Sequence, residues 1–81
     1  MTRDEARAAY LRALYSVAPE AEDEDFTDDM DLGRELELDS MDFLSVVTAL
    51  HTDLGVVVPE EDTPKMRTIS GAVTCLLGLA G

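Results

Sequence analysis

Residues 20 to 31, EAEDEDFTDDMD, place eight acids in twelve positions, and no helix or strand buries a face so densely charged. This run must be a solvated connection, so the segments on either side of it do the folding. The whole chain has 81 residues and a formal net charge of −12, which leaves room for a single domain, residues 1–81. Such a surface repels phosphate backbones and cannot release counterions from them, so nucleic-acid binding is excluded and basic patches on other proteins are the natural partners.

Upstream of the run, residues 3 to 18 put Ala6, Ala9, Tyr10, Ala13, Leu14 and Val17 on one helical face and Arg3, Arg7 and Arg12 on another. Thr2 and Glu5 have the spacing of a capping box, and Pro19 stops the helix near Ala18. Downstream, residues 40 to 54 are helical in pattern, with Phe43, Val46, Val47, Leu50 and Leu54 in one stripe and Gly55 placed for a left-handed C-terminal cap. The segment VVVPEEDTPKMR is broken by Pro59 and Pro64, which predicts an extended piece and a short helical turn. Thr68 caps a last helix with Ile69, Ala72, Val73, Leu76, Leu77 and Ala80 on one side. No strand pair is identifiable. The pattern predicts an all-α bundle of three main helices plus one short helix, with a long loop between helices 1 and 2. Phe26, Met30, Leu32, Leu36 and Leu38 are the points at which that loop folds back over the core.

The loop ends at LELDSMDFL, where Asp39 and Ser40 precede an apolar-periodic run. Asp and Ser are common helix N-caps, and Asp42 in the first turn complements the dipole. A serine hydroxyl at a helix N-terminus also suits phosphate attachment, because free N–H groups and the positive dipole end stabilise the phosphodiester. The two readings are compatible. The same helix is apolar on a second side, through Met41, Leu44 and Thr48. Either the loop covers these residues through Phe26 or Leu36, or they meet a partner.

The segment DLGRELELDSMDFLSVVTALHTDLGVVVPEED resembles the central region of acyl carrier proteins, through Asp39, Ser40, Met41 and Asp42 and then Val58, Pro59, Glu60 and Glu61. With a helix before and after, the resemblance covers essentially the whole chain. It implies a stand-alone carrier without catalytic residues: a phosphopantetheinyl transferase moves 4′-phosphopantetheine from coenzyme A to Ser40, and the arm's thiol then holds acyl groups as thioesters. Asp39 is expected to help the transferase and its Mg²⁺ orient the hydroxyl. Met41, Asp42, Leu44, Ser45 and Thr48 fall where the family docks on acyl-transferring or acyl-activating enzymes with basic surfaces. Phe43, Val46, Val47, Leu50 and Val73 are candidates to line the family's chain-binding cavity or are plain core.

Two departures narrow the resemblance. Ser45, His51 and Thr52 occupy positions where fatty-acid carriers wear glutamates, leaving Asp42 and Asp53 on the helix, so a dedicated fatty-acyl or polyketide-type pathway is expected. LELDS also replaces the usual G-x-D-S form, with Gly33 further upstream. Peptidyl carriers, with LGG(H/D)S, match less well. A D-alanyl or other aminoacyl carrier, or an unmodified acidic interaction module, are the alternatives. One Cys and one His cannot build a zinc site, and the acidic run fails the EF-hand order because Asp28 or Arg34 falls where Gly is required. Cys75 reads as a small buried hydrophobe and His51 as a surface residue. No bilayer-length apolar run or signal-peptide pattern is present in the sequence, so a cytoplasmic monomer is expected.

Overall fold

The computed structural model describes residues 1–80. Helix α1 spans Arg3–Val17, α2 is a single turn at Leu32–Glu35, α3 spans Ser40–Leu54 and α4 spans Ile69–Ala80. Short 3-10 helices occupy Pro19–Asp23 and Glu60–Arg67. No strand occurs among the described residues. The all-α architecture of three main helices matches the expected one, and the Glu60–Arg67 helix supplies the short fourth element.

Each main helix ends where its residues dictate. The Thr2 hydroxyl accepts from the Glu5 amide and the Glu5 carboxylate accepts from the Thr2 amide, closing the capping box of α1. Asp39 and Asp42 make the same reciprocal pair at the start of α3, each at 3.0 Å. Gly55 ends α3 at φ 72°, a left-handed conformation a side chain would strain. The Thr68 hydroxyl accepts from the Gly71 amide at 2.9 Å and starts α4.

Packing follows the predicted stripes. Helix α1 lies against both α3 and α4, and the Glu60–Arg67 helix bridges α3 and α4. Tyr10, Leu14, Phe43, Val46, Leu50, Met66, Ile69 and Leu76 are all effectively removed from solvent. Each fully buried Leu, Ile or Met contributes roughly 1.5–3 kcal/mol from desolvation. Tyr10 pairs its buried hydroxyl with the Met66 carbonyl, and burial raises its phenol pKa. Val17, Val47, Leu54 and Leu77 are only half-buried, and Ala80 is exposed.

The acidic connection is more structured than a plain loop. Its residues are exposed apart from Ala21, which is fully buried in the first 3-10 helix, and Phe26, Met30 and Asp31, which are half-buried. Asp28 pins it at two points: its carboxylate pairs with Arg7 at 3.3 Å and its carbonyl accepts from the Ser70 amide at 2.9 Å. Asp31 then caps α2 by accepting from the Gly33 amide, and Leu32 is fully buried. A four-residue helix carries no periodicity, so the sequence reading placed a loop there.

Candidate functional site

Ser40 is the first residue of α3 and is exposed. The capping box holds the Asp39 and Asp42 carboxylates against the backbone, which fixes the helix start from which the hydroxyl projects. Further along α3, the hydroxyls of Ser45, Thr48 and Thr52 each donate to the carbonyl four residues earlier, at 3.2, 3.0 and 3.1 Å. Ser40 makes no side-chain hydrogen bond among the described residues. Among the described residues it is thus the hydroxyl of α3 without an intrahelical partner.

The approach to Ser40 is built by a tight turn. Helix α2 closes with the Leu38 amide donating to the Gly33 carbonyl, the six-to-one bond of a Schellman motif. The left-handed residue such a motif requires is Glu37, at φ 55°. This is the position where G-x-D-S would place its glycine. The departure noted in the sequence therefore has a structural consequence: a side chain occupies a conformation suited to glycine, two residues before Asp39.

A cleft of about 340 Å³ opens beside Ser40. Helix α3 contributes Ser40, Phe43 and Leu44 to it, and the Glu60–Arg67 helix contributes Glu60, Thr63 and Arg67. Arg67 is held on three sides. Its guanidinium pairs with Asp31 at 3.1 Å, lies over the Phe43 ring with Cζ 5.6 Å from the centroid, and passes over Gly33. A Cβ at Gly33 would come within 2.7 Å of Arg67 Cζ, so a side chain there would displace the guanidinium from this position. Partial burial raises the Asp31 pKa, but the Arg67 hydrogen bond and charge and the Arg34 and Gly33 amides outweigh it, and the carboxyl sits below its ordinary 3.8. The Thr63 hydroxyl is buried without a partner, a state that costs roughly 1–3 kcal/mol.

The second apolar side of α3 is open. Met41 is 67% exposed and Leu44 41%, so the loop does not cover them. Phe26 instead flanks a depression shared with Arg7, Leu11 and Tyr15 on α1. Both remaining acids on α3 are committed: Asp42 to the capping box and Asp53 to Arg12 on α1, at 3.0 Å. Of the residues implied as cavity lining, only Phe43 borders the cleft beside Ser40; Val46, Leu50 and Val73 are buried in the core and Val47 is half-buried elsewhere on α3. Cys75 is buried, and burial together with the Asp62 charge raises its thiol pKa against a smaller opposing effect of Lys65.

Thr63, Arg67, Gly33 and Glu37 were not singled out as site residues from the sequence. Asp31 and Arg67 are 36 residues apart, and nothing local marks them as partners. For Glu37 a local signal existed, the missing glycine. No helix among the described residues is long and apolar enough to cross a membrane, and no cluster of metal-binding side chains occurs among them.

Comparison with known proteins agrees with this geometry. The family model described as "Phosphopantetheine attachment site" matches residues 9–76. The acyl carrier protein of Lactobacillus johnsonii is 34% identical over 47 residues, covering 58% of this chain and 59% of that protein. The match thus spans about three fifths of the curated relative's length. No solved structure matches at a significant level. An exposed, unbonded serine at a capped helix start, a cleft beside it, and a family match over nearly the whole chain lead to one conclusion: the chain belongs to the phosphopantetheine attachment site family, whose group is 4′-phosphopantetheine held covalently.

Proposed function

We propose that Ser40 is the attachment residue and that the chain is a stand-alone acyl carrier rather than an enzyme. The observation that carries this reading is the contrast among the exposed hydroxyls of α3: those of Ser45, Thr48 and Thr52 are bonded back to their own helix, and that of Ser40, at the helix start, has no such bond. The Ser40 oxygen would become esterified to the phosphate of the arm, with the 3′,5′-adenosine bisphosphate of coenzyme A as leaving group. The one histidine, His51, lies eleven residues further along the sequence and turns its Nδ1 toward the Val56 carbonyl at 3.3 Å. Activation of the hydroxyl therefore falls to the phosphopantetheinyl transferase, with Asp39 beside it for the transferase and its Mg²⁺.

The docking surface in this reading is Met41, Leu44 and the methyl side of Thr48, with Ser45 between them and Asp42 at the edge. Apolar anchors at the centre of an interface supply affinity, and surrounding charges steer the encounter. Because both α3 acids serve the fold, steering falls to the carboxylates around the site, including Glu60 and Glu61. Partners would be acyl-transferring or acyl-activating enzymes with basic surfaces that accept an apolar helix face, which fits a dedicated fatty-acyl or polyketide-type pathway. The carrier works as a monomer in the cytoplasm.

Loading the apo protein from hexanoyl-coenzyme A with a broad-specificity transferase tests the carrier role. The expected product releases its hexanoyl group to neutral hydroxylamine and keeps the arm. An adduct that hydroxylamine leaves intact would show that no thioester is carried.

A further inference from the structure

Glu37 strains the fold without bonding to any part of it. Among the described residues it is the non-glycine residue with positive φ, at 55°, and its backbone has no freedom to relax. On one side the Leu36 amide donates to the Leu32 carbonyl, and on the other the Leu38 amide donates to the Gly33 carbonyl, each at 3.0 Å. Glutamate lacks the short side chain with which Asn or Asp eases this conformation, and glycine would remove the strain altogether. The Glu37 side chain is nonetheless exposed. The ion pairs among the described residues use Asp28, Asp53, Asp62 and Asp31, and none uses Glu37. A side chain kept at a strained position without a contact inside the chain points to what the chain meets.

Resting on the reading that Ser40 carries the arm, we propose that Glu37 is a specificity-determining residue for that modification, its carboxylate pairing with a basic side chain of the phosphopantetheinyl transferase. At ~3.8 Å between successive Cα atoms, Glu37 and Ser40 lie no more than about 11 Å apart, well inside the patch that a partner reaching the hydroxyl covers. The carboxylates closer to Ser40 already serve the fold: Asp39 and Asp42 each accept from the other's amide. Glu35, Glu60 and Glu61 are exposed as well, but none has the positive φ of Glu37, so strain singles out Glu37. A carboxylate on a locked turn also loses less freedom on pairing than one on a mobile segment, and so contributes more to recognition. The net charge of −12 draws basic surfaces to the chain as a whole. A fixed carboxylate beside the hydroxyl decides where they land.

The test measures kcat and KM for the apo carrier in its modification by a broad-specificity phosphopantetheinyl transferase, with saturating coenzyme A and Mg²⁺, at low and at high ionic strength. Wild type is compared with Glu37→Gln, Glu37→Gly and Glu20→Gln. Glu20 is exposed in the Pro19–Asp23 helix and forms no ion pair among the described residues, so it controls for net charge. Glu37→Gln should raise KM at low salt roughly two- to fivefold, the effect of one accessible ion pair, with kcat unchanged because Ser40 and its helix start are untouched. High salt should erase the difference. Glu37→Gly should match Glu37→Gln, because relaxing the turn adds no further loss, and Glu20→Gln should match wild type. An unchanged KM in Glu37→Gln, an equal rise in Glu20→Gln, a rise that survives high salt, or a loss confined to Glu37→Gly or to kcat overturns the inference. An unmodified wild type removes the inference and the carrier reading together; a modified wild type with an unchanged Glu37→Gln removes the inference alone.

Discussion

Replacing Glu37 by glycine should stabilise the protein, and the size of the gain follows from the backbone. Glu37 is a non-glycine residue with positive φ, at 55°, held there by the Schellman bond from Leu38 to Gly33. A left-handed conformation costs a residue with a Cβ about 1–2 kcal/mol. Glycine adopts it without that cost but gives up an extra 0.5–1 kcal/mol of unfolded-state entropy. The difference is a net gain of about 0.5–1 kcal/mol, or roughly 2–8 °C in Tm for a domain of this size. Glu37→Gly also removes one negative charge from a chain at −12, so Glu37→Gln is the necessary control: it removes the charge and keeps the Cβ. Differential scanning calorimetry of the three proteins separates the two contributions. A Glu37→Gly protein no more stable than Glu37→Gln would refute the strain argument. The same comparison bears on function, because this turn sets the start of α3 at Asp39 and Ser40, and a relaxed turn should not impair modification of Ser40.

Other outcomes follow from the same geometry. Leu44→Glu alters a residue 41% exposed, between side chains of similar helix propensity, so stability should change by less than about 1 kcal/mol while reactions with partner enzymes slow at least about fivefold; a large fall in Tm with unchanged partner kinetics would contradict the docking role. Asp31 has a pKa lowered from 3.8, so its contribution to stability is present above that value and is lost as pH falls through the lower native one. Asp31→Asn should therefore be less stable than wild type at neutral pH, with the gap closing in acid; a gap independent of pH would rule out the ion pair as its origin. The Cys75 thiol is buried with a raised pKa, so the native apo protein should react with a disulfide reagent far more slowly than the same protein in denaturant, and a fast native reaction would contradict the packing of α4.

The elements legible in the sequence are those whose signals are local. The 3.6-residue periodicity gave α1, α3 and α4, and Thr2, Asp39, Gly55 and Thr68 marked their ends within a residue or two. The start of α3 at Ser40, the proposed attachment residue, was legible for the same reason, since the motif and the helix start coincide. The single turn at Leu32–Glu35 was not, because four residues carry no period and lie inside a connection dominated by charge. Nor was the cleft. Its polar groups depend on Arg67 reaching Asp31 and Phe43 across a space that Gly33 leaves open, a coincidence of residues far apart in the chain. The exposure of Met41 and Leu44 was likewise open in the sequence, where cover by Phe26 or Leu36 was an equal possibility. The structure decides it by turning Phe26 toward α1.

The claim on which the account turns is that Ser40 carries the arm. Intact-mass spectrometry before and after incubation with coenzyme A, Mg²⁺ and a broad-specificity phosphopantetheinyl transferase tests it, using wild type, Ser40→Ala and Ser45→Ala. The account predicts a single phosphopantetheine added to wild type and to Ser45→Ala, and none to Ser40→Ala. An unmodified wild type, or an arm that still appears on Ser40→Ala, would contradict it.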